Sequence, residues 1–537
     1  MGDLQVLPDS KSKRLGYLIT LLFTIGFVTR IAPLFNQGGR LLRQWPTEDG
    51  YLMLTIARNL ALGRGMSTAA GTIPTNGTQP LFNFLEAAGF AVVGGDRFWG
   101  VAIAQILLLI ISLAAARALF LLARRVLKDR PDARQIALLT SAVWYSSSIV
   151  IPHTMNCLET GLYITLVLVS VYIWYRDETE GNCDRTQFSV KAIGIGALLG
   201  LTFWARIDAV FLIAALTLWH TLLGLIEDRQ QFMRRFLESF AMGITSIVIA
   251  SPWLINNYLR FGSLMPISGT AQSAESPFGR NATELPSTLF EYATIILPIP
   301  NGIEKNPLVL LAASLVVALY IALIVWVAKQ MNRNERLLLW AIATFAAFPI
   351  VYYGLLFGAP HFVSRYLSPL SPFTAIFTVT VAVLALRKLW GESSLNRSLP
   401  LGILSLVVVA LVLNLRLYQI GTVHPHFQVV NWIEKNVDEQ TWVGAIQTGT
   451  VGFFHDRTIN LDGKVNPEAL AAKLKRKIGQ YVVDRQFDDR GGKIQYLADW
   501  TGITQWMERE PLASNFEILV NDPKRNLAVI HRKSLAN

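Results

Sequence analysis

The stretch Thr47-Glu48-Asp49-Gly50-Tyr51-Leu52-Met53-Leu54-Thr55-Ile56-Ala57-Arg58-Asn59-Leu60 comes soon after a long apolar run, Leu15 to Phe35. That run is long enough to cross a hydrocarbon core of roughly 30 Å, which takes about 20 mostly apolar residues. Lys11, Lys13 and Arg14 precede it and no small-residue cleavage site ends it, so it reads as a retained signal-anchor. The quoted stretch then sets an acidic pair, Glu48-Asp49, at the start of an amphipathic helix. Such a helix next to a span is expected to lie against the membrane, holding its carboxylates at the surface.

The rest of the chain supports a membrane reading. Of 537 residues, 52% are hydrophobic and only 16% are charged, and the mean hydropathy is +0.39. Soluble domains carry far more charge, so the chain is expected to be a polytopic α-helical membrane protein. Apolar runs predict about eleven spans, near 15–35, 98–123, 135–151, 158–175, 188–204, 208–226, 237–257, 306–328, 337–357, 369–389 and 399–417. The run 80–94 is short, contains Asn83 and Glu86, and ends in Gly94-Gly95-Asp96-Arg97. It reads as an interfacial helix.

Charge fixes the sidedness of this arrangement. If 80–94 does not cross, the clusters at Arg124-Arg125, Arg176 to Arg185, Arg229 to Arg235, Lys329 to Arg336 and Arg387 to Arg397 all share one face. Basic loops stay in the cytoplasm, so that face is the inner one, with the N-terminus inside and the C-terminus outside. The net charge of +11 is then accounted for by inner loops, and nucleic acid is not an expected partner. Long loops at 36–97 and 258–305, and a shorter one around Arg365, fall outside, where chemistry is expected. Cys157 and Cys183 fall on opposite faces, which excludes a bridge. Sequons begin at Asn76 and Asn281, a pattern that matters only in a eukaryotic secretory pathway.

From about residue 420 the composition changes. A helix from Phe427 to Val437 leads to a strand at 441–446, a second at Thr458 to Leu461, and a turn at Asp462-Gly463. A helix over 467–477 precedes strand-like pieces at 481–484, 516–520 and 526–531. Residues 420–537 are therefore expected to form a small extracytoplasmic α/β domain behind a membrane domain spanning 1–419. No nucleophile–base arrangement is legible in this tail, so it is expected to supply recognition or stability and no catalytic group.

Several polar residues stand where chemistry needs them. Asp49 fits an N-cap, and equally a base that takes a proton from an attacking hydroxyl; Glu48 could serve either way. Glu159, in Asn156-Cys157-Leu158-Glu159-Thr160-Gly161, marks the outer end of a span, where a carboxylate faces a cavity or is satisfied by water and helix amides. Arg206 and Asp208 join two apolar runs with almost no loop. They read as an interface charge pair that caps a tight helical hairpin, or with Arg206 on a phosphate or sugar hydroxyl. Residues two apart do not share a helix face, so each is expected to have its own partner. Arg365-Tyr366 follow Pro360-His361-Phe362. The planar guanidinium suits a phosphate, or snorkels to lipid headgroups. No His, Cys or Asp cluster has zinc spacing, and no tightly bound metal is expected.

The order of these motifs resembles the GT-C membrane glycosyltransferases, of the protein mannosyltransferase and aminoarabinose transferase type found in bacteria. The resemblance runs through Ala57-Arg58-Asn59-Leu60, Gly63-Arg64-Gly65, Thr75-Asn76-Gly77, Leu158-Glu159-Thr160-Gly161, Ala205-Arg206-Ile207-Asp208-Ala209 and Arg365-Tyr366. In the tail it adds Gly449-Thr450-Val451-Gly452-Phe453-Phe454 and Ile459-Asn460-Leu461-Asp462-Gly463. Gln79 departs from the His expected after Thr-Asn-Gly. The resemblance implies an inverting hexosyl- or pentosyltransferase of the plasma membrane. Its donor would be a polyprenyl-phosphate sugar and its acceptor a glycan, lipid or protein hydroxyl. The loop acid Asp49, with Glu48 beside it, would be the base. Arg58, Glu159, Arg206, Asp208, Arg365 and Tyr366 would bind substrate. A transporter of lipid-linked glycans, or a non-catalytic assembly subunit, would share the hydropathy pattern; the former predicts an internal repeat, and none is evident.

Overall fold

The computed structural model describes residues 9–36, 39–130, 132–180, 188–227, 229–273, 277–300, 302–420 and 425–533 of the 537-residue chain. Among them, eight helical segments are long and apolar enough to cross a membrane. Helices Ala133–Ser146, Thr160–Glu180 and Lys191–Ala205 stand where the other three spans were expected and pack into the same bundle. The first and third are shorter than a full crossing, and the second ends in Arg176, Asp177, Glu178 and Glu180. Helix Pro80–Val92 has 13 residues, about 20 Å, which is too short to span.

Small residues let the bundle close. Gly196 and Gly200 lie one turn apart on Lys191–Ala205, against helix Phe232–Phe261. A Cβ on Gly196 would press into the backbone of Met242, and one on Gly200 into Ile249. This is the close backbone approach that replaces a hydrophobic driving force inside lipid. Bulky side chains fill the wider gaps, with Trp144, Trp174, Tyr175 and Phe373 fully buried.

The chain is helical from Ser371 to Ile420, yet this stretch is two spans. Trp144 Nε1 donates to Ser371 Oγ at 3.0 Å, and Asn414 Nδ2 donates to the carbonyl of Ser146 at 2.8 Å. A straight helix would hold Ser371 and Asn414 about 65 Å apart, so the run folds back on itself. Arg387 pairs with Asp132 at the end remote from Ser371, as the expected basic inner loop requires.

The basic loops share one face and are tied together there. Arg130 pairs with Glu335, Arg125 with Glu180, Arg333 with Glu227, and Arg235 with Glu178. Glu335 also belongs to a capping box with Asn332. Helix Arg97–Val126 has 30 residues, about 45 Å. Its Arg125 end meets these loops, while Arg97 at its other end bonds Asp456 in the tail. Loops and tail are thus on opposite faces of the bundle. Cys157 is buried and free; Cys183 lies outside the described residues.

The tail carries a five-stranded sheet ordered Thr458–Asn460, Val443–Ala445, Tyr496–Asp499, Leu527–Arg532, Phe516–Asp522. The first three strands are parallel, and Leu527–Arg532 runs antiparallel to both of its neighbours. One expectation fails here, and one strand was not expected. The piece 481–484 belongs to helix Ile478–Asp484, whose Val482 and Val483 are buried, so packing overrides their strand propensity. Tyr496–Asp499, at the centre of the sheet, is short, without alternation, and was not legible.

Helix Glu48–Ala61 does not lie on a membrane surface. Residues Gly50 to Ala57 are buried on every side, between Pro80–Val92 and tail helix Gly449–Phe454. The first loop and the tail enclose it, and the tail turns what looked like a surface face into an interface.

Candidate active site

A cavity of about 400 Å³ is lined by residues from the first loop, the bundle and the tail. Asp49 lies on it. Thr47, not Asp49, is the cap of helix Glu48–Ala61, its Oγ1 accepting from the Gly50 amide at 3.1 Å. The Asp49 carboxylate is therefore left for other partners in the first turn, where the helix dipole favours a negative charge.

Those partners are cations. Arg365 Nη1 donates to Asp49 Oδ2 at 2.7 Å, and Lys464 Nζ sits 3.9 Å from Oδ1. Burial by itself would raise the Asp49 carboxyl. Arg365, Lys464 and His361 outweigh it and hold the group below the ordinary carboxylate range.

Arg206 and Glu159 stand on the same wall. Arg206 Nε is 2.6 Å from Asp208 Oδ2, and its Nη1 is 3.7 Å from Glu159 Oε1. The direct Arg206–Asp208 pair corrects the expectation of separate partners. Arg206 ends one helix in extended backbone (φ −163°, ψ 131°) and Asp208 begins the next, so the helical rule does not apply between them. Asp208 also accepts from Tyr353. Tyr353 stacks on Tyr366 with ring centroids 4.1 Å apart, and the Arg206 guanidinium lies 4.8 Å from the Tyr366 ring centroid. Tyr353 sits in a π-helical turn, Tyr352–Leu356, a distortion that recurs at functional sites.

Two residues expected at the site are elsewhere. Glu48 turns to the tail, where it accepts from the amides of Gly449 and Thr450 and from Thr450 Oγ1 at 2.6 Å. Neighbours on a helix point about 100° apart, so Glu48 and Asp49 cannot both face the cavity. Arg58 bonds the Gly95 carbonyl at 2.7 Å and Asp456 at 2.8 Å, which makes it a docking residue for the tail.

Sequence reasoning did not single out Lys464, Tyr352, Tyr353 or Gln272 as site residues. Tyr366 OH donates to Gln272 Oε1 at 3.0 Å. Lys464 has most consequence among them, because it comes from the tail, which was expected to supply recognition or stability and no catalytic group. Gln79 does line the cavity, and its Oε1 accepts from the Ile207 amide at 3.3 Å. Both sequon asparagines, Asn76 and Asn281, are fully buried. Among the described residues, no group of three or more His, Cys, Asp or Glu is placed to hold a metal ion.

Residues 77–256 match the family model described as dolichyl-phosphate-mannose-protein mannosyltransferase. Residues 414–526 match a domain of unknown function, DUF8728. The comparison with curated proteins finds no match. Among solved structures, ArnT from Cupriavidus metallidurans bound to undecaprenyl phosphate is similar with a TM-score of 0.58 at 11% identity, over 96% of this chain and 97% of that one. The oligosaccharyltransferase of Archaeoglobus fulgidus, in its apo form, is similar at 0.55 and 10% identity, over 91% of this chain and 70% of that one. The same organism's AglB, in complex with an inhibitory peptide and a dolichol-phosphate, gives 0.51 at 10% identity, over 93% and 71%. The bundle, the long first loop and the mannosyltransferase match over residues 77–256 together give this chain the GT-C fold of the polyprenyl-phosphate-dependent membrane glycosyltransferases.

Proposed function

We propose that the protein transfers a sugar from a polyprenyl-phosphate carrier to an acceptor hydroxyl on the outer face of the plasma membrane, inverting the anomeric centre. The observation that supports this most directly is the Asp49–Arg365 pair on a cavity shared by loop, bundle and tail. The ArnT and AglB structures, which hold undecaprenyl phosphate and a dolichol-phosphate, support the same class of donor. In the step, the acceptor oxygen bonds to the anomeric carbon as the bond from that carbon to the phosphate oxygen breaks. The acceptor proton passes to Asp49, and the polyprenyl phosphate leaves with the electron pair.

Charge supplies the logic. A departing phosphate gains negative charge, which Arg365 and Arg206 stabilise from a low-dielectric wall. A carboxylate bound by two cations is a weak base, since its proton affinity is depressed. Donor phosphate competing for Arg365 relieves that depression and brings Asp49 nearer the range in which a base is effective. The Tyr353–Tyr366 platform offers a face for a sugar ring, and Asp208 and Glu159 offer acceptors for its hydroxyls.

Sugar transfer by purified protein from a lipid-linked donor tests this reading, with a thermal melt as control. Asp49→Asn keeps the shape and cannot take a proton. It is expected to fold, to bind the donor, and to lose turnover by about 10²-fold or more. Near-normal turnover would remove the base assignment, and absence of transfer from every polyprenyl-phosphate sugar tried would remove the activity.

A further inference from the structure

Lys464 reaches the cavity from the tail, and its surroundings leave its donors unspent. Its ammonium is 3.9 Å from Asp49 Oδ1, 3.5 Å from Asp462 Oδ2 and 5.5 Å from the Phe362 ring centroid. It makes no hydrogen bond to a described residue, although its side chain is only 19% exposed. Two further cationic atoms of the cavity residues share this condition. Arg365 Nε and Arg206 Nη1 are buried without a hydrogen-bond partner. Buried N–H groups without acceptors are costly, so these two, beside an ammonium held only by ion pairs of 3.5 and 3.9 Å, point to a ligand rich in acceptor oxygens. A tetrahedral phosphate offers acceptors in several directions at once.

The chain spends several interactions on placing Lys464. It leaves the carboxyl end of strand Thr458–Asn460 through a turn in which Asn460 Oδ1 accepts from the Gly463 amide and Asp462 Oδ1 from the Lys464 amide. Asn466 Nδ2 donates to the Asn460 carbonyl at 2.9 Å and closes the turn. Gly463 has φ +86°, where a side chain would be strained, and a Cβ there would press on Leu470. The Lys464 carbonyl rests on Gly77 of the first loop, where any Cβ would collide with it. Glu48 at the amides of Gly449 and Thr450, and Arg58, Arg64 and Arg97 on Asp456, fix the tail on that loop. A lysine needed only as a surface charge requires none of this.

On the reading that the cavity takes a polyprenyl-phosphate donor, we propose that Lys464 is a ligand of the donor phosphate and that the tail thereby completes the active site. Without donor, Lys464 and Arg365 share Asp49. With donor, both turn to the phosphate, and Asp49 is released to accept the proton. The tail then bears on chemistry as well as on acceptor recognition.

Binding of undecaprenyl phosphate to the purified full-length protein in detergent tests the assignment. Lys464→Met removes the charge at similar volume and is expected to weaken binding roughly 10- to 100-fold, as for loss of a charge-assisted bond. Lys464→Arg is expected to stay within several-fold of wild type. Wild-type affinity in Lys464→Met, at an unchanged melting temperature, overturns the proposal and leaves the donor reading standing. No binding by the wild type overturns that reading itself. If Lys464→Met does not fold, the wild type decides. Acylation of Lys464 by a soluble amine reagent, read by mass spectrometry, should slow when undecaprenyl phosphate is present, and unchanged labelling overturns the proposal.

Discussion

Arg365 and Asp49, 316 positions apart in sequence, form a 2.7 Å charge-assisted hydrogen bond on the wall of the cavity. The bond joins the first loop to the start of a late span, and it keeps the candidate base ionised in the resting protein. Arg365→Gln should lower the efficiency of donor use by roughly one to two orders of magnitude, the range for losing a charged hydrogen bond to a phosphate. Arg365→Lys should recover only part, because it lacks the planar fork. Steady-state transfer kinetics at varied donor concentration measure both.

The pH dependence follows from the same pair. Arg365 and Lys464 hold Asp49 below the ordinary carboxylate range against the opposing effect of burial. Activity needs the ionised form, so it is lost as pH falls through the Asp49 pKa. The acid limb of kcat/KM, which reports the free enzyme, should therefore lie below the ordinary carboxylate range in the wild type. Arg365→Gln should move that limb upward. An acid limb that does not move would separate Asp49 titration from the profile.

Asp456 gathers Arg58, Arg64 and Arg97 at 2.8, 3.3 and 2.9 Å. Burial raises its carboxyl, but Arg58, Arg97 and Arg64 more than offset this and depress it. A depressed carboxyl contributes stability that is full above its unfolded value, about 3.9, and is lost as pH falls through the folded value. Tail docking should thus be constant above about pH 5 and weaken below about pH 4. Asp456→Asn should cost on the order of 1–3 kcal/mol at neutral pH, read as faster proteolysis of the tail. Arg58→Ala should behave the same way, and a selective rise in donor KM with docking intact would return Arg58 to the site.

Glu48→Gln tests the division of labour within the acidic pair. It weakens the interaction with the amides of Gly449 and Thr450 and leaves Asp49 in place. A loss of roughly 0.5–2 kcal/mol in stability is expected, with kcat changed by less than several-fold. A loss of kcat like that of Asp49→Asn, at unchanged stability, would restore Glu48 as a catalytic group.

Sidedness is open to a direct measurement. A cysteine placed at Glu517, exposed on edge strand Phe516–Asp522, should react with an impermeant thiol reagent added outside intact cells. One placed at Lys329, by the basic inner loops, should react only after permeabilisation. The reverse pattern would overturn the orientation and the outer-face site together.

The sequence by itself determined the span pattern, the segregation of basic loops to one face, and most of the tail's strands. Each is a sum over neighbouring residues: hydropathy over about 20 positions, charge over a loop, alternation over a strand. It also placed Asp49, Glu159, Arg206, Asp208, Arg365 and Tyr366 on a short list, since a charged or polar group near a bilayer is costly enough to stand out. Tertiary structure decided which of them meet. Sequence ranked Asp49 ahead of its neighbour Glu48 by resemblance, and only the docked tail sends one carboxylate to the amides of Gly449 and Thr450 and leaves the other to Arg365. Arg206 and Asp208 pair because the chain is extended between two helices, a backbone state that local pattern did not show. Lys464, in an ordinary Asp-Gly-Lys turn, gained its place from contacts hundreds of residues away. A charge acts through space, and where it acts depends on a packing that no local window of the sequence contains.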